Sequence, residues 1–569
     1  MQLDIFDRTT FSLKFCRGFK GIISTFCGHN ISLNFQTFLQ SSMGIKVLFV
    51  YPNTYGMNML PPAIALFSAL LKERGHEVDL FDATYYQTDH GVDSDGTKAD
   101  RLNVVPFSPN EKGIKMRETD WRSDIHTKIQ SFQPNLVALS TTEDMWLLGV
   151  RILEEIEEYI NRHKIPVIAG GVFPTFAPEL VINHRLIDMV CIGEGENSMI
   201  DLCENLDKGQ EYGNVTNLWI KQKDGSISKN PISNPFDINE TPIIDIGLFE
   251  EQRLYRPMAG KWYKMMPIET IRGCPYKCTF CNSPDQITLY SDQTDSNFFR
   301  KKSISLVYKE LKYFKENYQV EYNYFWADTF LSWNNQEFDE FCEMYADIKL
   351  PFWMQTRPET LTDYKVKRLA KIGLHRISFG IEHGNEGFRK KLLKRDWKNG
   401  RIIEALKIPG RYGIPFSVNN ITGFPTETRD LAMDTVELNR HIPAHNQNLY
   451  SFVPFHGTPL RKICEEMGLV NPNTITKALT DKPMLNQKQY LPEEIEALQK
   501  CFVFYVKMPK NRWQDIKRAE ANTPEGNRIY QDLKEEYLEK YASLSGSAIN
   551  KLDNSADLEY GTEMPASNN

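Results

Sequence analysis

The stretch IRGCPYKCTFCNSP, residues 271–284, decides how the second half of the chain is interpreted. It places Cys274, Cys278 and Cys281 within eight residues, with the spacing C-x-x-x-C-x-x-C. Thiolates are soft ligands that suit zinc, copper(I) and iron–sulfur clusters. Structural zinc usually takes four ligands, and no fourth cysteine or paired histidine lies close by in the sequence. Three thiols on one short loop instead favour a four-iron, four-sulfur cluster with one iron left open.

Predicted strands and helices alternate after this loop. The loop follows the apolar run PIETI at residues 267–271, and the alternation continues to about residue 459. About six strand–helix units predict a full or partial TIM-type (β/α) barrel, whose site lies at the C-terminal strand ends. Gly273 is expected to let the backbone approach a metal site. Arg272 and Lys277 are expected to offset the charge of the thiolates.

A separate alternating series precedes the barrel. The run IKVLFVYPN at residues 45–53 indicates a buried parallel strand closed by a turn. Strands that alternate with helices predict a doubly wound parallel sheet, which binds ligands at the carboxyl ends of its strands. Small, hydroxylated or acidic residues lie at three of these predicted strand ends, namely Ser140, Thr141, Gly170, Gly171 and Glu194. By residue type alone, the same stretches also fit ordinary tight turns.

The overall composition is that of a globular protein. The chain has 569 residues, a formal net charge of −7 and 41% hydrophobic residues. This charge balance does not indicate a nucleic-acid surface, and no apolar run reaches the roughly 18 residues expected of a membrane span. Seven of the ten cysteines are scattered singly, which does not suggest a secreted disulfide framework and favours a reducing cytoplasm.

The second series resembles the radical S-adenosylmethionine (SAM) superfamily, over residues 267–459. The resemblance rests on the cysteine spacing with Phe280 before the last cysteine, and on the segments YFWADTF (324–330), ISFGIEHGNE (377–386) and NNITGFPTET (419–428). It implies that Cys274, Cys278 and Cys281 bind a [4Fe-4S] cluster. It also implies that SAM is held by Glu382 and by the backbone near Gly273, Phe280 and Gly423. His383 departs from many relatives, and either contacts the substrate or fills space.

The first series resembles the cobalamin-binding domain of cobalamin-dependent radical SAM enzymes, over residues 45–206. The resemblance rests on YPN followed by LPPAIALFSALLKERGHEVDLFDA, on GGVFPT and on GEGE. It implies that Ser140, Thr141, Gly170, Gly171 and Glu194 line the cobalamin tail. The motif D-x-H-x-x-G, which supplies a histidine ligand to cobalt elsewhere, is missing. Cobalamin bound without that histidine, with its lower face near the loop at residues 52–59, and a degenerate domain that binds no cobalamin are both left open.

Together these resemblances imply a cobalamin-dependent radical SAM enzyme that methylates an unactivated carbon. A non-methylating cyclase or rearrangement enzyme with the same cofactors, and a non-catalytic cobalamin or iron–sulfur sensor, are the alternatives. The expected partners are a small-molecule or natural-product substrate and a low-potential electron donor such as flavodoxin or ferredoxin, with no nucleic acid and no membrane span.

The predicted fold class is α/β, with a Rossmann-like domain, a partial (β/α)6 barrel and a C-terminal helical region. We predict an N-terminal extension at residues 1–42, the cobalamin-binding domain at 43–206, a linker or strap at 207–263, the radical SAM barrel at 264–470, the helical region at 471–545 and a disordered tail at 546–569. His90, in a polar stretch without metal-ligand spacing, is predicted to be solvated.

Overall fold

The computed structural model describes residues 44–56, 59–88, 94–105 and 107–544. The predicted N-terminal extension, His90, the predicted disordered tail and part of the loop at residues 52–59 lie outside the described residues. None of the helices in the described ranges is both long and apolar enough to cross a membrane.

The first sheet has seven strands in the order β2-β1-β3-β4-β5-β6-β7. Strands β1 to β5 pair in parallel, and the hairpin β6–β7 joins the edge next to β5 in the antiparallel sense. The strands are β1 Lys46–Tyr51, β2 Glu77–Asp82, β3 Leu136–Ser140, β4 Val167–Gly170, β5 Met189–Cys191, β6 Leu218–Lys221 and β7 Ile227–Lys229. The helices of this half are α1 Pro62–Lys72, α2 Ser94–Asp100, α3 Trp121–Phe132, α4 Trp146–Glu155, α5 Glu157–His163, α6 Val172–Phe176, α7 Pro178–Ile182 and α8 Glu196–Asp207.

Strand β1 shows why this sheet is doubly wound. Its residues point alternately to opposite faces, and both faces are covered: Val47 and Phe49 belong to one buried cluster, while Leu48 and Val50 belong to another. A strand that is buried on both sides has a continuous apolar run rather than an alternating one. The predicted doubly wound sheet is therefore confirmed.

The second sheet also has seven strands, in the order β16-β15-β14-β13-β12-β9-β8. Six of them, from β9 to β16, are parallel, and β8 forms an antiparallel edge. The strands are β8 Tyr255–Met258, β9 Lys261–Glu269, β12 Tyr322–Trp326, β13 Phe352–Thr356, β14 Leu374–Glu382, β15 Phe416–Thr422 and β16 Asn446–Ser451, and a separate ribbon pairs β10 Ile271–Arg272 with β11 Arg300–Lys301. This open array of six parallel strands confirms the predicted partial barrel.

The helices of the second half surround this sheet. They are α9 Ser283–Gln293, α10 Ile304–Tyr318, α11 Asn335–Ile348, α12 Asp363–Lys371, α13 Glu386–Lys391, α14 Asn399–Leu406, α15 Ile408–Arg411, α16 Arg429–His441 and α17 Pro459–Glu466. The C-terminal helices are α18 Pro492–Lys507, α19 Trp513–Ala519 and α20 Pro524–Lys540. Helix α18 packs against α16 and β16 with the buried side chains of Leu498, Phe502 and Val506, so the predicted helical C-terminal region is confirmed.

The polar insert between β2 and β3 is a structured part of the fold. It contains helix α2, and its described residues contact two distant parts of the second half. The Tyr530 hydroxyl of α20 donates to the carbonyl of Asp100 at 3.0 Å, and the Trp262 indole of β9 donates to the carbonyl of Ser108 at 2.7 Å. The insert therefore reaches from the C-terminal helices to the β8–β9 edge of the barrel.

Candidate active site

The three clustered cysteines lie on the loop between β10 and α9, at the carboxyl end of the first barrel strand. Gly273 precedes them with φ +85°. A Cβ at this position would lie 2.9 Å from Cδ1 and 3.1 Å from the carbonyl oxygen of Phe298. Only glycine satisfies both the left-handed backbone and the close approach, so the loop enters the cysteine cluster along a fixed path.

All three thiols are free and each has a polar neighbour. Cys278 Sγ accepts from Arg357 Nη1 at 3.1 Å, Cys274 Sγ lies 3.6 Å from Thr329 Oγ1, and the Ser283 amide donates to Cys281 Sγ at 3.5 Å. Burial raises the pKa of Cys281 to about 12. A buried thiol with a raised pKa ionises readily only beside positive charge, which metal ions supply.

The donor set fits an iron–sulfur cluster. In the described part of the chain, no three His, Cys, Asp or Glu side chains converge as the ligands of one metal ion would. The three free thiols share one short loop, with Arg357 donating to the sulfur of Cys278. Hydrogen bonds to ligating sulfurs are a common feature of such clusters, so these residues are the right kind to hold one.

Arg357, rather than Arg272, is the cation at the thiols. Its guanidinium stacks over the Tyr276 ring at 3.7 Å from the centroid and pairs with Glu359 at 2.8 Å. The structure shows the salt bridge together with the sulfur contact.

Arg272 instead joins the cysteine loop to the first sheet, which corrects the expectation that it offsets the thiolates. Its guanidinium bonds Glu269 through Nε and Nη2 at 2.9 and 3.0 Å, and Glu196 through Nη1 at 2.6 Å. Glu194 lies 3.2 Å from Nη1 and also pairs with Arg300. Glu194 and Glu196 follow β5, so buried charges connect the end of a strand in the first sheet to the residue next to Gly273.

Glu382 ends β14 in an unusual conformation. Its φ is +72°, a region that non-glycine residues rarely occupy and that clusters at functional sites. Its carboxylate accepts from Arg395 Nη1 at 2.7 Å, while Arg395 Nη2 donates to the carbonyl of Gly380 at 2.9 Å. Burial raises the pKa of Glu382, and the Arg395 guanidinium opposes this rise. The carboxylate is thus held in place at the ligand end of the strand.

The segment after β15 is organised by Glu427. Its carboxylate accepts from the amides of Gly423 and Phe424 at 2.5 and 2.9 Å, and it lies 3.1 Å from His383 Nε2. The Asn385 amide donates to His383 Nδ1 at 3.0 Å, so Nε2 carries the proton of a neutral ring. His383 is fully buried. The structure therefore gives it the packing role of the two that the sequence left open.

Two of the predicted SAM residues, Phe280 and Gly423, lie on neighbouring segments. The rings of Phe280 and Phe424 are 6.4 Å apart, which brings the cysteine loop next to the segment that contains Gly423. A Cβ on Gly423, whose φ is +84°, would lie 2.9 Å from Ile495 on α18. The structure thus brings Phe280 and Gly423 together.

The predicted cobalamin residues lie at neighbouring strand ends of the first sheet. The Thr141 amide donates to the carbonyl of Gly170 at 3.0 Å. A Cβ on Gly171, with φ +115°, would lie 2.5 Å from the carbonyl oxygen of Thr141, whereas a Cβ on Gly170 would meet only Cys191 at 3.8 Å. Ser140 ends β3 and remains partly exposed. These small residues leave the strand edge open, as a bulky ligand requires, while the carboxylate of Glu194 is already engaged by arginines.

A second connection between the halves was missed in the sequence. Glu143, which follows the β3 strand end and is 3% exposed, accepts from the amides of His456 and Thr476, each at 2.9 Å. Its other contact is His456 Nδ1 at 2.8 Å. The only local signal was the position of Glu143 directly after the polar stretch at residues 140–142. Its partners lie more than three hundred residues away in the sequence.

Two family models match the chain in the regions just described. The radical SAM superfamily model matches residues 268–438, which span β12 to β15 and the cysteine loop. The B12 binding domain model matches residues 111–202, which include the strand ends of β3, β4 and β5.

Three proteins to which this chain is similar are distant from it in sequence. A protein from Pyrococcus horikoshii, named as an uncharacterised methyltransferase, is 25% identical over 397 residues, which are 69% of this chain and 83% of that protein. The structure of the cobalamin-dependent SAM radical enzyme OxsB with aqua-cobalamin and SAM bound has a TM-score of 0.60 at 16% identity, covering 88% of this chain and 72% of OxsB. The radical SAM methyltransferase TsrM from Kitasatospora setae, with cobalamin and a [4Fe-4S] cluster bound, has a TM-score of 0.55 at 18% identity, covering 80% of this chain and 85% of TsrM. These structural similarities extend over both halves of the chain.

Proposed function

We propose a function from the premise that this chain is a member of the radical SAM superfamily and carries a B12 binding domain before its radical SAM domain. It is a cobalamin-dependent radical SAM enzyme that methylates an unactivated carbon of a small-molecule substrate. The observation that carries this proposal is the pairing of Arg272, next to the cysteine loop, with carboxylates that follow β5 of the B12 binding domain. It joins the proposed cluster to the proposed cobalamin edge.

Each proposed cofactor has its own residues. Cys274, Cys278 and Cys281 hold a [4Fe-4S] cluster, and Glu382 with the backbone near Gly273, Phe280 and Gly423 holds SAM. Ser140, Thr141, Gly170 and Gly171 line the cobalamin, while Glu194 fixes the loop after β5. When bound, these groups supply a 5′-deoxyadenosyl radical and a methyl carrier. The support for SAM and cobalamin comes from the relatives whose structures contain them.

The chain's own residues position and enclose the reaction. Arg395 holds the carboxylate of Glu382 at the end of β14 before any ligand arrives. Glu427 fixes the amides of Gly423 and Phe424, so the backbone beside the proposed SAM site needs no rearrangement. Holding binding groups in place in advance is how an active site lowers the entropy lost on forming a reactive complex.

The choice of methyl transfer follows the relatives. The Pyrococcus horikoshii protein and TsrM are both named as methyltransferases. A low-potential flavodoxin or ferredoxin is the proposed electron donor. The eight cysteines of the described residues are all free thiols, which supports a reducing compartment, the cytoplasm.

The decisive experiment is Cys278→Ala in anaerobically reconstituted protein, assayed for 5′-deoxyadenosine, S-adenosylhomocysteine and cobalamin retention. We expect no SAM cleavage and unchanged cobalamin binding, because the cysteine loop and the β3–β5 strand ends are separate parts of the fold. Cys342 is a buried cysteine of α11, and Cys342→Ala is the matched control. It should keep both SAM cleavage and cobalamin binding. Loss of cobalamin from a folded Cys278→Ala variant, as judged by circular dichroism, would contradict the assignment of two separate sites.

The wild-type products decide between the reactions. A methylated product with S-adenosylhomocysteine supports methyl transfer. Formation of 5′-deoxyadenosine without either product would instead indicate a radical rearrangement. A cluster-loaded protein that never cleaves SAM under strong reduction would overturn the enzymatic proposal.

A further inference from the structure

The concave face of the barrel is open to solvent, whereas its convex face is not. In β15, Phe416, Val418 and Asn420 are buried, while the alternate residues Ser417, Asn419 and Ile421 are partly exposed. The buried residues Phe416 and Val418 belong to the core beneath the helices. The alternate set therefore faces the barrel interior, and its partial exposure shows that solvent reaches this side of the strand.

Two partly buried arginines on this concave face, Arg256 and Arg376, lack a carboxylate partner among the described residues. Arg376 lies on the face that also carries Ser378, whose hydroxyl is 2.7 Å from that of Ser417. Among the described residues, neither Arg256 nor Arg376 forms an ion pair within 4.0 Å. Arg376 Nη2 donates to Asn446 Oδ1 at 2.9 Å, and Arg256 Nη1 is buried without a hydrogen-bond partner.

The contrast with the rest of the chain makes this pair unusual. Arg253, Arg272 and Arg395 are each paired with a buried or half-buried carboxylate. Backbone carbonyls accept from the guanidinium groups of Arg389 and Arg440. Removing a charge from water without a partner is unfavourable. A pair of cations left in this state is suited to a partner that arrives with the ligand.

Between the two arginines lies an aromatic floor. The Arg256 guanidinium is 4.9 Å from the Tyr324 ring centroid, and Tyr324 stacks on Trp353 with centroids 4.1 Å apart and planes 14° apart. Trp353 lies opposite Arg376 in the β13–β14 register. Met265 and Tyr322 complete the apolar cluster around these rings. The row therefore presents Arg376 of β14, Trp353 of β13, Tyr324 of β12 and Arg256 of β8 on one face, with β9 between β12 and β8.

The row lies deeper in the barrel than the proposed SAM site. Arg376 precedes Gly380 by four residues on the same strand, which corresponds to about 13 Å at the rise of a β-strand. Charges that act on the neighbouring His375 come from Arg376 and Lys261, and both lower its pKa in addition to the effect of burial. The charges that act on His375 are thus cationic.

We propose that the substrate of this enzyme is an organic anion. A carboxylate or phosphoryl group pairs with Arg256 or Arg376 at one end of the row, and the apolar body of the substrate rests on Tyr324 and Trp353. Guanidinium groups suit both anions because their planar donors match the oxygens in pairs. This inference rests on the proposed function, since it takes the barrel interior to be the substrate site.

The test compares three probes that share one ring: phenyl phosphate, benzoate and the neutral benzyl alcohol. Their affinities are measured by equilibrium dialysis with the reconstituted full chain, at saturating SAM so that the SAM site is occupied. We expect at least one anion to bind tenfold or more tightly than benzyl alcohol. The better of the two anions distinguishes a phosphoryl substrate from a carboxylate substrate.

Arg256→Gln, Arg376→Gln and the double variant are measured in parallel. Each single variant should reduce the preference for the anion, and the double variant should abolish it. Arg256→Gln breaks no ion pair, so the thermal unfolding midpoint of this variant should not fall. A loss of anion preference in this variant is therefore not explained by unfolding, even if Arg376→Gln fails to fold. Arg368→Gln, on the outer helix α12, should leave the preference unchanged. Equal binding of anionic and neutral probes, or a preference that survives in the double variant, would overturn the inference.

Failure of this inference is separable from failure of the proposed function. If the wild-type protein cleaves SAM but shows no preference for anions, only the substrate class is wrong. If the anion preference depends on both arginines but the reconstituted protein never cleaves SAM, the anion site stands and the proposed reaction fails.

Discussion

Replacing Arg272 with methionine is expected to loosen the contact between the cysteine loop and the B12 binding domain. The methionine keeps most of the volume of the side chain but leaves Glu196 and Glu269 without their guanidinium partner. Glu194 loses less, because Arg300 still pairs with it. The change therefore isolates two carboxylates at the junction of the two halves.

The expected magnitude follows from burial. The side chains of Arg272, Glu196 and Glu269 are 17%, 6% and 19% exposed, so solvent screens them little. Removing one partner of a buried ion pair destabilises by about 3–5 kcal/mol. Lys229→Met is the control, since Lys229 and Glu179 are 52% and 64% exposed and such surface pairs contribute about 0–1 kcal/mol.

The assay is native-state hydrogen exchange, followed by mass spectrometry of peptides that cover residues 193–200 and 267–273. A local loss of about 3 kcal/mol corresponds to a more than hundredfold faster exchange, since about 1.4 kcal/mol is tenfold. A local measurement is appropriate because unfolding of a chain with several domains is not a single two-state event. Exchange at these peptides within a few-fold of wild type would refute the reasoning.

A second check is the pH dependence of the stability deficit, that is, the loss of local stability in Arg272→Met relative to the wild type. Burial alone raises the pKa of Glu269, but the Arg272 guanidinium outweighs it and holds the pKa below its usual value. This carboxylate thus contributes stability above its unfolded pKa, and the contribution is lost as pH falls through the folded pKa. Without Arg272, burial raises the pKa of Glu269, as it already raises the pKa of Glu196. The two carboxyls then take up protons on folding, so the deficit should shrink between pH 8 and pH 5, and a constant deficit would contradict this account.

Two further substitutions test other parts of the site. Arg357→Met removes the hydrogen bond to Cys278 Sγ. Because that hydrogen bond stabilises the more negative, reduced cluster, the reduction potential of the variant should fall in an EPR-monitored titration. An unchanged potential would show that this contact does not tune the cluster. Gly457→Ala should destabilise by about 1–3 kcal/mol, because its Cβ would lie 2.1 Å from Cγ of Phe176. Gly468→Ala has the same positive φ but open space, and equal losses of unfolding free energy in both variants would exclude the clash as the cause.

The alternation of strands and helices was predictable because apolar periodicity is a local property. A continuous apolar run such as that of β1 indicates burial on both faces without knowledge of its neighbours. The pairing of β6 with β7 is likewise local, but the attachment of β6 to β5 depends on pairing between distant segments. Helix α2 was missed because its seven residues, SDGTKAD, contain one apolar side chain and a glycine, and therefore carry no amphipathic pattern.

In the candidate site, too, features set by local sequence were predictable, and features set by distant residues were not. The cysteines were predictable because their three-residue and two-residue gaps are all that a cluster loop requires. The roles of Arg272 and His383 were not, because each is decided by a carboxylate that is distant in sequence: Glu196 lies 76 residues before Arg272, and Glu427 lies 44 residues after His383. Charge alone made Arg272 a candidate for the thiolates. Only the fold shows that Arg272 is paired with acidic side chains instead of the thiolates.

Two of the connections between the halves have a consequence for the proposed cobalamin edge. One is made by Glu143, which follows β3, and the other by Glu194 and Glu196, which follow β5. Strand β4 lies between β3 and β5 in the sheet, so the end of β4, with Gly170, is flanked by a connection on each side. Buried ion pairs hold a fixed geometry only while both partners are present. The spacing between the Gly170 strand end and the barrel therefore depends on both connections, and a variant at either one should disturb cobalamin retention before it disturbs the fold of either half.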